Sequence, residues 1–347
     1  MRQAGFFDVD RRLEAISAKG DPLETIKSTV PWEEFRAPIE AVTETKSEEK
    51  KSNAGRPSYD TILKFKMVVL QALYNFSDEQ LEIQVRDRLS FMRFLDLGLH
   101  DRVPDATTIW LFREALIDAK LIDDLFALFD QHLAGKGFIA RGGQIIDATI
   151  VSVPKQRNTR EENETVKAGE TPKDWGKKPA KNAQKDKDAR WTKKHGKSYY
   201  GYKNHVGIDK AHKLIRKWDA TDASVHDSQK LDAVLDDGNT GRTVWADSAY
   251  RSAEIEAKLA AKGLKSRVHL KGVRGRPLSE KEKETNTARS EVRARVEHIF
   301  GHQETSMGRK IVRTIGAARA RFKIGMMNLG YNMRRLGQLE RMAAASA

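Results

Sequence analysis

Apolar residues recur at helical spacing from Thr61 to Tyr74 (TILKFKMVVLQALY), which predicts a helix. Ser77 and Gln80 then make a capping-box pattern ahead of LEIQVRDRL, so a second helix starts there. Asp105, just after Pro104, is placed to cap a third, ATTIWLFREALIDA. A fourth is predicted over 119–134, closed by Gly135 and Gly137. Residues 55–137 therefore predict a small all-α domain. Ahead of it, residues 1–54 are mixed in pattern. Their run Glu44 to Lys51 is charged with no apolar face, so 1–54 is read as an N-terminal segment and linker.

After Gly143 the period changes. Gln144 to Val153 (QIIDATIVSV) is rich in β-branched residues and predicts a strand. Residues 155–197 show almost no hydrophobic periodicity and many lysines, which reads as a basic loop or insertion. Strand character returns at Tyr199–Ile208 and Leu214–Ala220, a predicted hairpin. Ser228–Leu235 predicts a short helix, Thr243–Ala246 a short buried strand, Ala253–Ala261 a helix and Ser266–Leu270 a last strand. From 287 to 340 the chain predicts helix with little interruption. Helices that connect successive strands late in this order imply an α/β domain over 138–340, a mixed sheet flanked by helices.

The 347 residues are 39% hydrophobic and carry a formal net charge of +14. A basic excess of this size favours a polyanionic partner, nucleic acid first. No run of eighteen apolar residues is present, so no membrane span is predicted. The start, MRQAGFFDVDRRLEAIS, lacks the basic-then-apolar pattern of a secretory signal. With no cysteine, disulfides and thiolate metal sites are excluded. The expected compartment is a cytoplasm.

Asp147 is an anomaly in this pattern. On its strand Ile145, Thr149, Val151 and Val153 share its face, and Ile146, Ala148 and Ile150 line the other. A carboxylate between two such faces is costly unless it is paired or bound to a metal. Asp247 repeats the anomaly at the end of the apolar strand TVWA, and Glu297 lies near Val296, Ile299 and Phe300 in a predicted helix. Each acid alone has an ordinary structural reading. A strand-end Asp caps a loop, and Glu297 has Arg293 at i−4 for an ion pair. Three such acids on three elements of one α/β sheet, in a basic protein, point instead to a metal centre. Hard oxygen ligands suit Mg²⁺ or Mn²⁺. Two such ions can activate an attacking oxygen and stabilise a leaving one in phosphoryl transfer.

Five stretches carry a resemblance: IIDATIVSVP (145–154), KSYYGYKNHVGID (197–209), DATDASVHDSQKL (219–231), VWADSAYRS (244–252) and RVEHIFG (295–301). GRPSYDTILKFKMVVLQALYNFSDEQLE (55–82) resembles the helical domain that precedes them. As an ordered set they resemble the DDE transposases of bacterial insertion sequences, in the group named after insertion sequence five. The resemblance implies an RNase H-like catalytic core. Its three acids would be Asp147 on the first strand, Asp247 after the fourth and Glu297 on a later helix, holding two Mg²⁺ ions with Mn²⁺ as substitute. It further implies binding of double-stranded DNA at transposon-end inverted repeats, cleavage there by water, and transfer of the freed 3′-OH to target DNA. A homodimer in the paired-end complex and a place at the bacterial nucleoid follow as expectations. The wider family often shows Tyr, Arg, Glu and a basic residue around the third acid. Here Arg293 and Glu297 fit, but the Tyr position holds Ser290 and the basic position Glu304, with Arg309 or Lys310 as replacement.

Secondary features fit DNA. Residues 155–203 hold fifteen Lys and Arg against seven acids, with Trp175, Trp191, Tyr199 and Tyr200 interleaved. Such a segment suits backbone binding and stacking, ordered on binding, with Lys193, Lys194, Lys197 and Lys203 as contacts; a solvated insertion is the plainer reading. Arg274 and Arg276, in the short run RGRP, match the core of minor-groove hooks or a plain surface loop. Arg309 and Lys310 fit a phosphate-facing surface. His226 and Asp227, with Arg293, read as residues that orient the ligands of a metal, or His226 and Asp227 as a capped turn. His205 reads as structural. The helix after Asp105 presents Thr107 and Thr108 for base reading, or Trp110 and Leu111 for a packed face. The alternative to a working transposase is a catalytically silent DNA-binding regulator derived from one; a third reading is a general nuclease of the same fold.

Overall fold

The computed structural model describes residues 7–43, 58–194 and 196–345. The run Glu44 to Lys51 and Gly55-Arg56-Pro57, which opens the resembling stretch 55–82, lie outside them. The chain divides into two compact units. One takes in the chain up to Phe138 with Thr305–Gly308 and the residues from Met326 on; the other is Ile139–Glu304 with Arg309–Gly325.

The described elements of the first unit are all helical. Its centre is the helix Thr61–Tyr74, with twelve of its fourteen residues buried and Asp60 accepting the Leu63 N–H at its start. The capping box of Ser77 and Gln80 is formed, and Asp105 caps Ala106–Asp118. In that last helix the buried stripe is Ile109, Phe112, Arg113, Leu116 and Ile117. Trp110 and Leu111 are therefore exposed rather than packed, because they fall off that stripe. The N-terminal residues hold more structure than their mixed pattern implied. Helices Asp8–Ser17, Pro22–Thr29 and Arg36–Thr43 form there; the last two bury Leu23, Ile26 and Ile39, Trp32 meets Phe65 and Phe94 edge-on, and Phe35 packs on Phe65 and Phe129. Each piece is only two to three turns long, too short to show a clear period by itself.

The second unit is a mixed α/β sheet flanked by helices. Its strands are β1 (Gln144–Ser152), β2 (Arg190–Lys194), β3 (Lys197–Asp209), β4 (Ile215–Asp222), β5 (Thr243–Trp245) and β6 (Lys265–Ser266). The order is β2-β3-β1-β5-β6, with β4 also on β3. β1 runs antiparallel to β3 and parallel to β5, so it sits at the centre with neighbours on both edges. Both its faces are buried over Gln144 to Ala148, as its composition implied. Tyr250 packs with Ile146, Leu231, Val234, Val244 and Leu259 in one apolar cluster of this unit.

The predicted strand Ser266–Leu270 shortens to Lys265–Ser266, and two further expectations change. Residues 155–189 are not a loop: helices Arg160–Lys167, Lys173–Gly176 and Pro179–Ala183 gather around a fully buried Trp175. Its indole N–H donates to Glu162 at 2.6 Å, Lys181 reaches the same carboxylate at 3.0 Å, and Lys185 lies over the Trp175 ring. Thr159 and Glu162 close a capping box there, and its backbone bond, with Trp175 and Lys181, brings the Glu162 pKa down to about 2. A single buried tryptophan ringed by polar residues leaves no period to read. The C-terminal stretch is two helices, Glu280–Thr305 and Ala317–Ala344, not one run. The break carries Gly308, Arg309 and Gly316 at positive φ. Within the sheet unit it lets Lys310 and Ile311 run beside Ser152 and lengthen the edge of β1, with Ser152 N–H on Lys310 C=O at 3.1 Å.

Candidate active site

The parallel register pairs Gln144 with Val244 and Ile145 with Trp245. Carried on two residues, it sets Asp247 beside Asp147. Sequence places the two acids a hundred residues apart; the short strand β5 brings them to the same end of the sheet. Asp247 ends that strand because its carboxylate caps the turn Ser248–Tyr250, accepting the Ala249 N–H at 2.7 Å. Past it, the His269 N–H donates to the Ala246 carbonyl at 3.0 Å, so His269 lies on the next extended segment at that end.

The Asp147 carboxylate is nearly inaccessible. Its Oδ1 accepts the Ala148 N–H at 2.8 Å, and its Oδ2 accepts from Arg293 Nη2 at 2.8 Å. Burial pushes its pKa up. The Arg293 charge and the Ala148 bond pull it down, and the negative charge of Asp247 raises it again. The hydroxyl of fully buried Tyr250 has no hydrogen-bond partner among the described residues. Burial, then the charges of Asp147, Asp227 and Asp247, drives its pKa well above the usual phenol value.

Helix Glu280–Thr305 brings the remaining groups on one stripe, Asn286, Ser290, Arg293 and Glu297, spaced four, three and four. Asn286 brackets the backbone of Leu270, accepting its N–H at 2.8 Å and donating to its C=O at 3.0 Å. Ser290 Oγ is 3.3 Å from His269 Nε2, and Arg293 Nη1 is 3.5 Å from His269 Nδ1. Glu297 lies one turn beyond Arg293 and is exposed. Among the described residues no three acids or histidines are gathered closely enough to hold a metal ion. The pair of aspartates nevertheless has the donor chemistry for a hard cation. A carboxylate offers about four lone-pair directions, and one on each Asp147 oxygen is taken. Two like charges side by side would be relieved by a cation between them.

The other expected site residues fall in different places. His226 is exposed and serves as a cap, with Nδ1 2.7 Å from Ser228 Oγ. Asp227 pairs with Lys203 at 2.8 Å. The Lys203 ammonium also donates to the Val225 carbonyl at 2.6 Å, so it is committed inside the unit rather than to a basic surface. Lys193, Lys194 and Lys197 are exposed around the β2–β3 hairpin. Arg274 and Arg276 are exposed in a turn with Gly275 at φ +85°. Lys310 is half-buried and donates to Thr149 Oγ1 at 3.0 Å, on the same face of β1 as Asp147. Around it, Thr149, Lys194, Tyr199, Glu304 and Arg309 line a cavity of about 430 Å³. Trp175 is fully buried and Trp191 exposed, so of the two insertion tryptophans only Trp191 offers a face. His205 is fully buried, with Nε2 2.9 Å from Thr221 Oγ1, as a structural histidine would be.

Sequence reasoning passed over Tyr250 and His269. Tyr250 lies inside a stretch already notable for Asp247. His269 lies in the run RVHL of the predicted strand Ser266–Leu270, where alternation alone gives no reason to single it out.

The profile of the family described as "Transposase DDE domain" matches residues 140–333, more than half of the chain. The chain belongs to the DDE transposase family. A second profile, "Transposase domain (DUF772)", matches residues 11–115, where the helical unit lies. Among solved structures, the chain is similar to the piggyBac transposase synaptic complex with hairpin DNA, determined by cryo-electron microscopy. The TM-score is 0.48 at 13% identity, covering 94% of this chain and 76% of that one. Within the DDE family match lie all three expected acids, Arg293, His269 and Tyr250. No helix among the described residues is long and apolar enough to cross a membrane.

Proposed function

We propose that this protein is an active transposase of the insertion sequence five group, with an RNase H-like core. It binds the inverted repeats at transposon ends, cleaves a phosphodiester there with water, and joins the freed 3′-OH to target DNA. The observation that carries this reading is the setting of Asp147 beside Asp247 at the end of two parallel strands, inside the stretch that matches the family. Asp147, Asp247 and Glu297 would hold two Mg²⁺ ions, or Mn²⁺ in their place. When bound, such ions supply a polarised water or hydroxyl and charge neutralisation at the phosphoryl oxygens.

The chain's own residues do the rest. Arg293 and the Ala148 N–H fix the Asp147 carboxylate in one orientation. Lys194, Arg309 and Lys310, around the cavity beside Thr149, would neutralise backbone phosphates next to the cleaved bond. The exposed Lys193 and Lys197, with Arg274 and Arg276, extend that basic surface. Each step exchanges one P–O bond for another and leaves no covalent link to the enzyme. Positioning and charge stabilisation therefore carry the catalysis. Joining two ends needs two active sites, so the working form is a dimer on DNA. Light scattering that found one chain per paired-end complex would refute the dimer.

The test is DNA carrying the repeats that flank the gene, with Mg²⁺ and then Mn²⁺, for wild type and Asp247→Asn. Cutting at the repeat boundary by wild type alone supports the reading. Binding without cutting by both proteins makes it a silent regulator. Cutting without regard to repeats, lost in the variant, makes it a general nuclease.

A further inference from the structure

We propose that His269 is a positioning residue that keeps Arg293 one-handed on Asp147, so that the carboxylate stays open to a metal ion. This rests on the reading of Asp147 as a metal-holding acid. The hydrogen bonds around His269 form one consistent chain. Ser290 Oγ–H donates to the Asn286 carbonyl at 2.9 Å, so its oxygen accepts from His269 Nε2–H at 3.3 Å. That leaves the Nδ1 lone pair of a neutral imidazole facing Arg293 Nη1 at 3.5 Å, while Arg293 Nη2 donates to Asp147 Oδ2 at 2.8 Å.

The geometry matters because of what arginine does otherwise. A guanidinium next to a carboxylate prefers two parallel hydrogen bonds, one to each oxygen. On Asp147 that fork would cover both oxygens and compete with any cation. With His269 engaging Nη1, only Nη2 rests on the carboxylate, and one lone-pair direction on each oxygen stays free. His269 is itself held firmly. Asn286 brackets Leu270 from both sides, and Arg289 donates to the Val268 carbonyl, so the backbone on either side of the imidazole is pinned to the same helix that carries Ser290 and Arg293. Burial, with Arg293 alongside, holds the imidazole pKa below its ordinary value, in keeping with a neutral acceptor.

The experiment is Mn²⁺ binding to the full-length protein without DNA, read from the loss of the free-ion EPR signal. His269→Ala frees Arg293 to grip Asp147 with both hands, and Mn²⁺ binding weakens about tenfold, as for loss of an outer-shell partner. His269→Asn, whose amide oxygen can take the place of Nδ1, binds Mn²⁺ nearly as wild type. His269→Gln, whose polar end reaches the Nε2 position instead, behaves as the alanine variant. In an Arg293→Ala background the further change His269→Ala has no effect, because the two act as one unit. Wild-type Mn²⁺ binding by both the Ala and Gln variants overturns the proposal. So does a loss that persists undiminished when Arg293 is absent. Asp147→Asn is the control: if it binds Mn²⁺ as tightly as wild type, the reading of Asp147 as a ligand fails instead.

Discussion

Asp147 and Asp209 are buried aspartates in one sheet, each beside an arginine, and they are built to opposite ends. Asp209, which pairs across from Gln144, is wrapped in donors. Its Oδ1 accepts the His212 N–H at 2.6 Å, and its Oδ2 accepts from Leu214 N–H at 3.3 Å and Arg216 Nε at 3.1 Å. Asp147, three residues along the partner strand, has one donor per oxygen, a second carboxylate alongside and a partnerless tyrosine hydroxyl nearby. A buried charge that is fully satisfied holds a turn together. One left half-satisfied next to a like charge stores unfavourable electrostatics that a ligand can release. The two acids are alike in burial and differ in the number of donors, and on the proposed reading it is that difference that leaves Asp147 open to a ligand.

The largest effect expected from this contrast is on chemistry. Asp147→Asn should lower strand cleavage on the order of 10³-fold or more, about 4 kcal/mol of barrier, with end binding kept. A gel-shift and cleavage assay on the same DNA separates the two, and a variant that still cuts breaks the contrast. Asp209→Ala should do the reverse. It removes the carboxylate that accepts from buried Arg216 Nε and should cost about 3–5 kcal/mol of stability in urea unfolding. Cleavage per folded molecule should be unchanged; a specific loss of cleavage would mean that Asp209 also serves the site.

A third buried group sharpens the point through pH. Burial holds His205 neutral, its pKa pushed down to about 4 from 6.5. The unfolded chain takes up that proton near pH 6.5 and the folded chain only near pH 4. Its contribution is therefore whole above pH 6.5 and is lost as the pH falls toward 4. His205→Gln should remove this slope, up to about 3 kcal/mol across the window. Unfolding curves at pH 7 and pH 4.5 that keep the wild-type difference would show that the imidazole is not what titrates. The smallest effect should come from Asp186, buried with Tyr202 O–H at 2.9 Å and the Ala189 and Asp188 N–H groups at 3.0 Å. Asp186→Ala should cost about 1–3 kcal/mol. Hydrogen exchange should quicken first in residues 158–189, with β1 amides still protected; uniform exchange across the sheet would deny that Asp186 is a local clasp.

Much of this architecture was legible because it is written in local rules. The capping box at Ser77, the Asp105 cap, the strand around Asp147 and the β3–β4 hairpin follow from neighbouring residues, and they stand where periodicity predicts them. Elements that depend on distant partners were not. Trp175 organises the insertion only because Glu162, Lys181 and Lys185 fold back around it. The break at 306–316 carries Gly308 and Gly316, but that Lys310 and Ile311 there run along the edge of β1 is a distant pairing that helical periodicity does not show.

By itself, then, the sequence determined the alternation of helices and strands, the basic character and the two aspartates that do not belong on buried strands. Those are properties of spacing and composition, set within a few residues. Only the tertiary structure decided that Asp147 and Asp247 stand side by side, that Lys203 is turned inward to Asp227, and that His269 lies between Ser290 and Arg293. These are contacts across about twenty to a hundred residues. They exist because parallel strand register and one long helix stripe converge on the same end of the sheet, and neither leaves a mark in the pattern of any single segment.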